Sequence, residues 1–111
     1  MPDLEVSKFQ KRPAYRYIRQ SDNVPSYAEL FMGKENSDPI ARIKLFNPTG
    51  AGTWYIAAYD PADRIAWGIA EIHEREIGDF SMAELVDFRG RFGLPIERDL
   101  FWEPRPFSKI R

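Results

Sequence analysis

The 111-residue sequence contains no cysteine. That absence excludes disulfides, zinc ribbons and thiol nucleophiles together, and it fits a reducing compartment. Histidine occurs once, as His73, so a metal site built on several imidazoles is excluded as well. No long apolar run is present. The longest, from Trp54 to Tyr59, falls far short of the roughly 20 residues a helix needs to cross a bilayer. The opening Met1-Pro2-Asp3 lacks the basic-then-apolar pattern of a secretion signal. There is no internal repeat and no low-complexity segment. These absences predict a soluble cytoplasmic protein with no membrane partner, no metal and no cofactor.

What is present suffices for one modest core. Hydrophobic residues make up 43% and aromatics 14%, more apolar surface than a disordered chain carries, and the length suits a single domain. The net charge of −1 is unevenly spread. Residues 1–22 hold five basic and three acidic side chains, residues 105–111 hold three basic and no acidic ones, and the stretch between holds eight basic against fourteen acidic. Such asymmetry predicts that the ends meet different surroundings from the body, or fold back onto it.

The pattern divides into a basic aromatic arm over residues 1–24 and a single α+β domain over 25–111. Pro13 interrupts any helix in the arm. Ser26-Tyr27-Ala28-Glu29 and Ser81-Met82-Ala83-Glu84 are capping-box sequences and predict two short helices, closed by Gly33 and Gly90. Alternation over Ile40–Phe46, β-branched and aromatic residues over Thr53–Tyr59, a doubly apolar run over Ile65–Ile72, and alternation over Ile96–Trp102 predict four strands. The short loops between them favour an antiparallel meander. The expected architecture is an antiparallel sheet of about four strands with both helices packed on one face, followed by a basic tail after Pro104.

Four groups of residues carry candidate chemistry. Lys8, Lys11, Arg12, Arg16 and Arg19, interleaved with Tyr15 and Tyr17, suit either a phosphate backbone with stacked bases or a protein interface. His73, beside Glu71, Glu74 and Glu76, would share a strand face with Glu71 but lacks a second imidazole. Glu97 and Asp99 would project from one face of the last strand, as paired acid–base carboxylates do. The glycines at Thr49–Thr53 read as a hairpin turn, since the lysine of a phosphate loop is missing. Ser81 is explained by its cap.

Two blocks, K-L-F-N-P-T-G-A-G-T-W-Y-I at 44–56 and S-M-A-E-L-V-D-F-R-G-R-F-G-L-P-I-E-R-D-L-F-W-E-P at 81–104, resemble the family known as domain of unknown function 2958. The resemblance covers about residues 24–106 and singles out Lys44, Trp54, Arg89, Glu97, Arg98 and Asp99 as motif residues. It implies a small product of plasmids, phages and related mobile elements, often among accessory or anti-defence genes. It brings no catalytic residues.

Three functions are therefore expected in order. The first is a non-catalytic module that docks on a host or defence-system protein and acts sterically, as an anti-restriction or anti-CRISPR inhibitor would. The second is a nucleic-acid accessory protein using the basic arm, which the slightly acidic whole disfavours. The third is a small enzyme using Glu97 and Asp99.

Overall fold

The computed structural model describes residues 5–6, 16–33 and 37–111. In chain order the elements are α1 (Tyr27–Met32), β1 (Ile40–Ala41), β2 (Ile43–Phe46), β3 (Thr53–Asp60), β4 (Ile65–Glu71), β5 (Arg75–Ser81), α2 (Met82–Asp87), β6 (Glu97–Arg98) and β7 (Arg105–Pro106). Five strands form an antiparallel sheet in the order β5-β4-β3-β2-β6, and β1 pairs with β7 in a separate two-stranded ladder. The class is α+β, as expected, and the meander of β2 to β5 follows from its short connections.

The central hairpin of β3 and β4 is the spine of the sheet. Its register shifts between Ile56 and Ala58, where the extra residue Ala57 makes a β-bulge. The bulge drives the Tyr55 carbonyl toward Gly68, so that a Cβ on Gly68 would lie 1.8 Å from the Tyr55 oxygen. Only glycine fits there.

Successive residues of a strand face opposite ways, and the contacts sort accordingly. On one face Trp54, Ile56, Tyr59 and Ala66 pack against Met82, Leu85 and Val86 of α2 and against Ile43, Leu45 and Ile96. On the other, Ala57 and Ala58 receive Leu30 of α1, with Phe31, Trp67 and Phe107 around them. Tyr55 and Ile69 join Ala41 and Ile110 beside Trp102. The expectation of both helices on one face is thus corrected: each face carries one helix. The doubly apolar β4 requires cover on both sides, and a single layer would leave Trp67 and Ile69 wet.

The ends fold onto this core. Tyr17 and Ile18 are fully buried within the α2-side cluster, Glu5 bridges Ile18, and Ile110 is buried on the other side. Burying such side chains contributes roughly 1.5–3 kcal/mol each, more than the roughly 0–1 kcal/mol of an exposed charge attraction. Apolar anchoring therefore outweighs the charge asymmetry in holding the ends down. The described part of the expected arm belongs to the core, and the expected tail after Pro104 becomes β7 and a 3-10 turn over Phe107–Lys109.

Several boundaries also differ. The helix begun at Ser81 ends at Asp87, short of Gly90, with Phe88 extended as its C-cap. Gly33 closes α1, but in an extended conformation. Ser26 completes a full capping box, accepting from the Glu29 N–H at 3.1 Å while Glu29 accepts from the Ser26 N–H at 2.9 Å. These bonds hold the Glu29 carboxyl below its ordinary range, the Ser26 backbone bond being the largest cause. Ser81 accepts from the Glu84 N–H at 3.2 Å. The strand expected at Ile96–Trp102 pairs only at Glu97 and Arg98. The strand from Ile40 is split at Arg42, and β5 appears where no strand was expected.

Candidate functional site: the edge formed by β2 and β6

Four of the six motif residues, Lys44, Glu97, Arg98 and Asp99, meet on one edge of the sheet. β6 pairs with β2 through Leu45–Arg98 and Phe46–Glu97, and the Asp99 N–H continues the ladder to the Lys44 carbonyl at 2.9 Å. There the strand stops. The Asp99 side chain accepts from the Phe101 N–H at 2.9 Å, and its backbone carbonyl accepts from the Trp102 N–H. An aspartate that caps the backbone two residues on makes a turn of its own sequence, which is why the alternation of residues 96–102 does not continue as strand.

The turn sends Trp102 back over the sheet. Its indole N–H donates to the Ala41 carbonyl at 3.0 Å, and its ring lies 5.3 Å from that of Tyr55. The Lys44 ammonium sits 5.9 Å from the Tyr55 ring and 5.8 Å from the Trp102 ring, and 3.7 Å from Asp99. The Arg105 guanidinium covers the outer face of Trp102 at 4.1 Å. Burial, followed by the charge of Glu71, holds the Tyr55 hydroxyl above its ordinary range, so it stays protonated and neutral beneath Lys44. Lys44 and Asp99 are half-buried; their pairing orients a small cation–aromatic stack.

Arg98 works on the opposite side of the same strand. Its guanidinium grips Asp22 in two bonds of 2.8 and 2.6 Å and also donates to the Tyr17 carbonyl at 3.2 Å. The Tyr17 hydroxyl in turn donates to the Ile96 carbonyl at 2.5 Å. The bidentate fork suits guanidinium and carboxylate, and it clamps residues 16–22 to β6. Trp54 lies in the core next to Leu45. Arg89 lies over Gly93, where an added Cβ would come within 3.3 Å of its guanidinium.

Two loops flank this edge. The hairpin loop 47–52 is organised by Asn47, which accepts from the Thr49 N–H at 3.1 Å and donates to the Ala51 carbonyl, so the glycine run is a hairpin turn as read. The loop after α2 docks on it through Arg91 N–H to Thr49 Oγ1 at 3.2 Å. Shallow recesses of about 600 and 190 Å³ open on either side of Phe46, and both are lined by Asp99.

The outermost side chains here are apolar. Phe92 is 87% exposed and Phe101 94% exposed, with Leu94 and Leu100 exposed beside them in the chain. Phe92 also adopts φ 60°, ψ 16°, the left-handed region that costs a residue with a Cβ roughly 1–2 kcal/mol. Phe92, Leu100 and Phe101 were not read from the sequence as site residues. Their signal is an aromatic seated among turn formers, as in Arg-Phe-Gly and Asp-Leu-Phe, where a core residue has no reason to be.

The other sequence candidates separate. Lys8, Lys11, Arg12 and Tyr15 lie outside the described residues. Tyr17 is fully buried and unavailable for stacking on a base, which corrects that part of the arm reading. Arg16 accepts a bond from Arg98 through its carbonyl, and Arg19 flanks the 3-10 turn at Gln20–Asp22. β4 ends at Glu71, so His73 sits in the tight turn 72–74 and not on a shared strand face. Among the described residues, no three His, Cys, Asp or Glu side chains lie where they could hold a metal. No helix among them is long and apolar enough to cross a membrane. Glu97 is paired by its backbone to Phe46, and Asp99 is engaged as described.

No curated protein and no solved structure matches this chain. A family model does match, over residues 16–109, which extends the resemblance to both sides and newly takes in Arg16, Tyr17 and Arg19 beside the motif residues. The chain is a member of the family described as "Protein of unknown function (DUF2958)".

Proposed function

We propose that this protein is a non-catalytic docking module that binds another protein through the β2–β6 edge. The observation that carries the reading is the pair Phe92 and Phe101, almost fully exposed on turns that backbone and side-chain bonds hold in place. Large exposed aromatics beside arginines are the residues that anchor protein interfaces, and a residue kept in a disfavoured conformation argues for a use outside the fold. Arg91 lies 5.7 Å from the Phe92 ring and Arg105 covers Trp102, which gives the edge its aromatic–guanidinium character. The partner it fits is a folded protein with apolar sockets rimmed by acceptors.

The setting we propose is the one the family resemblance implies, that of mobile elements and anti-defence genes. In that setting the partner is a host or defence-system protein. The domain acts sterically, by covering the surface its partner works with.

A parallel pull-down from a natural host tests this, using the wild-type chain and a Phe92→Ser, Phe101→Ser double variant, each with and without nuclease. A protein retained by wild type and lost by the variant is the expected result. Equal retention by both removes the β2–β6 edge from the reading. Loss of every partner on nuclease treatment moves the function to nucleic acid.

A further inference from the structure

We infer that β5, at the far side of the sheet, is a pairing edge for a second copy of this chain, with a twofold axis through Ile77. The register of β4 and β5 runs without a shift from Ile65–Ser81 to Glu71–Arg75. The Met82 N–H donates to the Arg64 carbonyl at 2.9 Å, which extends that ladder by one bonded pair. Bonded and non-bonded pairs alternate along an antiparallel ladder. Phe80, Gly78 and Glu76 therefore point their backbone groups at β4, and Asp79, Ile77 and Arg75 point theirs outward. Arg75, Ile77 and Asp79, alternate residues of the strand, present six N–H and C=O groups with no backbone partner among the described residues, and all three are exposed. Ile77, at their centre, is 61% exposed. Among the described residues no backbone bond reaches this edge.

Unpaired edges are usually guarded by charges that repel a like edge. The charges here have the opposite arrangement. Antiparallel pairing about Ile77 sets Ile77 against its own copy and brings the other copy's Asp79 to each Arg75, whose guanidinium already holds Glu71 at 3.1 Å and the Ile110 and Arg111 carbonyls at 3.2 and 2.8 Å in its own chain. It satisfies all six outward groups of both strands at once. Like charges meet nowhere among these three pairs. An axis one residue on, through Gly78, would instead set Ile77 against Asp79 and lose both ion pairs. Complementary charge thus selects the second copy as occupant and fixes its register, and an isologous contact closes after two chains.

Light scattering and sedimentation of the full chain, from micromolar to millimolar concentration, give the first test. A concentration-dependent dimer is expected. A monomer throughout overturns the inference. Ile77→Pro removes an outward N–H and leaves the ladder to β4 intact, a place where an edge strand accepts proline. It should keep the wild-type circular dichroism and weaken dimerisation by at least tenfold; unchanged dimerisation overturns the proposal.

Arg75→Asp and Asp79→Arg should each be monomeric and should dimerise when mixed, because mixing restores opposite charges at both ends. Failure of the mixture to dimerise, with both variants folded, counts against the register. The chain has no native thiol to confuse a crosslink. Ile77→Cys should crosslink on oxidation, since paired Cα atoms about 5.5 Å apart lie within disulfide range. Preferential crosslinking of Gly78→Cys would refute an axis through Ile77.

Discussion

The two edges of one sheet meet the same problem in different ways. On the β6 side the pairing is two residues long. Asp99 ends it, and loops bearing Phe92, Leu100 and Phe101 take over the surface. On the β5 side seven residues run in unbroken register with their outer backbone groups open. A short, interrupted edge offers side chains, and recognition there depends on shape and chemistry. A straight open edge offers backbone, and recognition there depends on register and charge. One small domain can thus address two occupants without the two surfaces overlapping.

The difference can be broken at its root. Gly68 lies in β4, between the two edges, and Gly68→Ala would put a methyl against a backbone carbonyl that cannot move aside cheaply. We expect the largest loss here, more than about 3 kcal/mol, with both edges failing together in a denaturant titration. Asp22→Ala acts on one side only. It leaves Arg98 half-buried without its carboxylate, a cost of about 3 kcal/mol. It should loosen β6 and the docking edge while the oligomeric state set by β5 stays as it was. Hydrogen exchange read strand by strand would show protection lost at β6 and retained at β5.

Tyr59, on the central strand β3, provides a control that belongs to neither edge strand. Its hydroxyl donates to the buried Glu5 carboxylate, which also takes two bonds from Arg64 at 3.1 and 2.7 Å. Tyr59→Phe removes one donor and should cost about 1–2 kcal/mol, with partner binding and dimerisation unchanged. Burial first, and then the Glu5 bond, hold the Tyr59 hydroxyl well above its ordinary range. A raised folded-state value means that the folded form keeps its proton where the unfolded form loses it. Stability from this group is therefore complete below about pH 10 and declines as pH rises above that. The Arg64 guanidinium, raised chiefly by its bond to Glu5, adds the same sign at still higher pH. Alkaline unfolding followed by fluorescence should steepen above pH ~10 in wild type and flatten in Tyr59→Phe. A parallel course in the two would assign the alkaline limb to other groups.

The smallest expected effect has the opposite sign. Phe92→Gly relieves a left-handed aromatic and, despite the extra entropy of glycine, should raise stability by up to about 1 kcal/mol. It should also weaken protein binding at the β2–β6 edge. A thermal melt and a binding assay on one preparation separate these. Stability gained without binding lost would mean that Phe92 is tolerated and not used.

Legibility followed burial. The helices announced themselves through Ser26 and Ser81, whose caps are local chemistry. β2, β3 and β4 were readable because each buries a face. β5 was not: Arg75-Glu-Ile-Gly-Asp-Phe-Ser lies at an edge, only Phe80 of its residues joins a core cluster, and polar side chains on both faces erase the alternation. At the ends the sequence leaves two outcomes open, an arm or a fold-back, for the converse reason. The pair Tyr17-Ile18 and the single Ile110 stand among bases, and nothing local distinguishes an anchor from an arm. At the docking edge, Lys44, Glu97, Arg98 and Asp99 were visible as a motif, but their assembly is a product of register. Two residues apart in the last strand, Glu97 and Asp99 looked like a pair; the turn at Asp99 separates their tasks. The left-handed conformation of Phe92, unlike its exposure, has no sequence signal, since the adjacent Gly93 is where such a conformation is ordinarily expected, and Gly93 has it too, at φ 72°.

Ala57 and Gly68 can be understood only jointly. Ile56 pairs with Gly68 and Ala58 with Trp67, so a chain lacking Ala57 would keep every cross-strand partner on both sides of the gap. The surplus residue contributes curvature, not pairing, and the missing side chain opposite makes room for it. Natural relatives without one should be free of the other. A chain shortened by that single alanine should accept at position 68 the methyl group that the intact chain rejects.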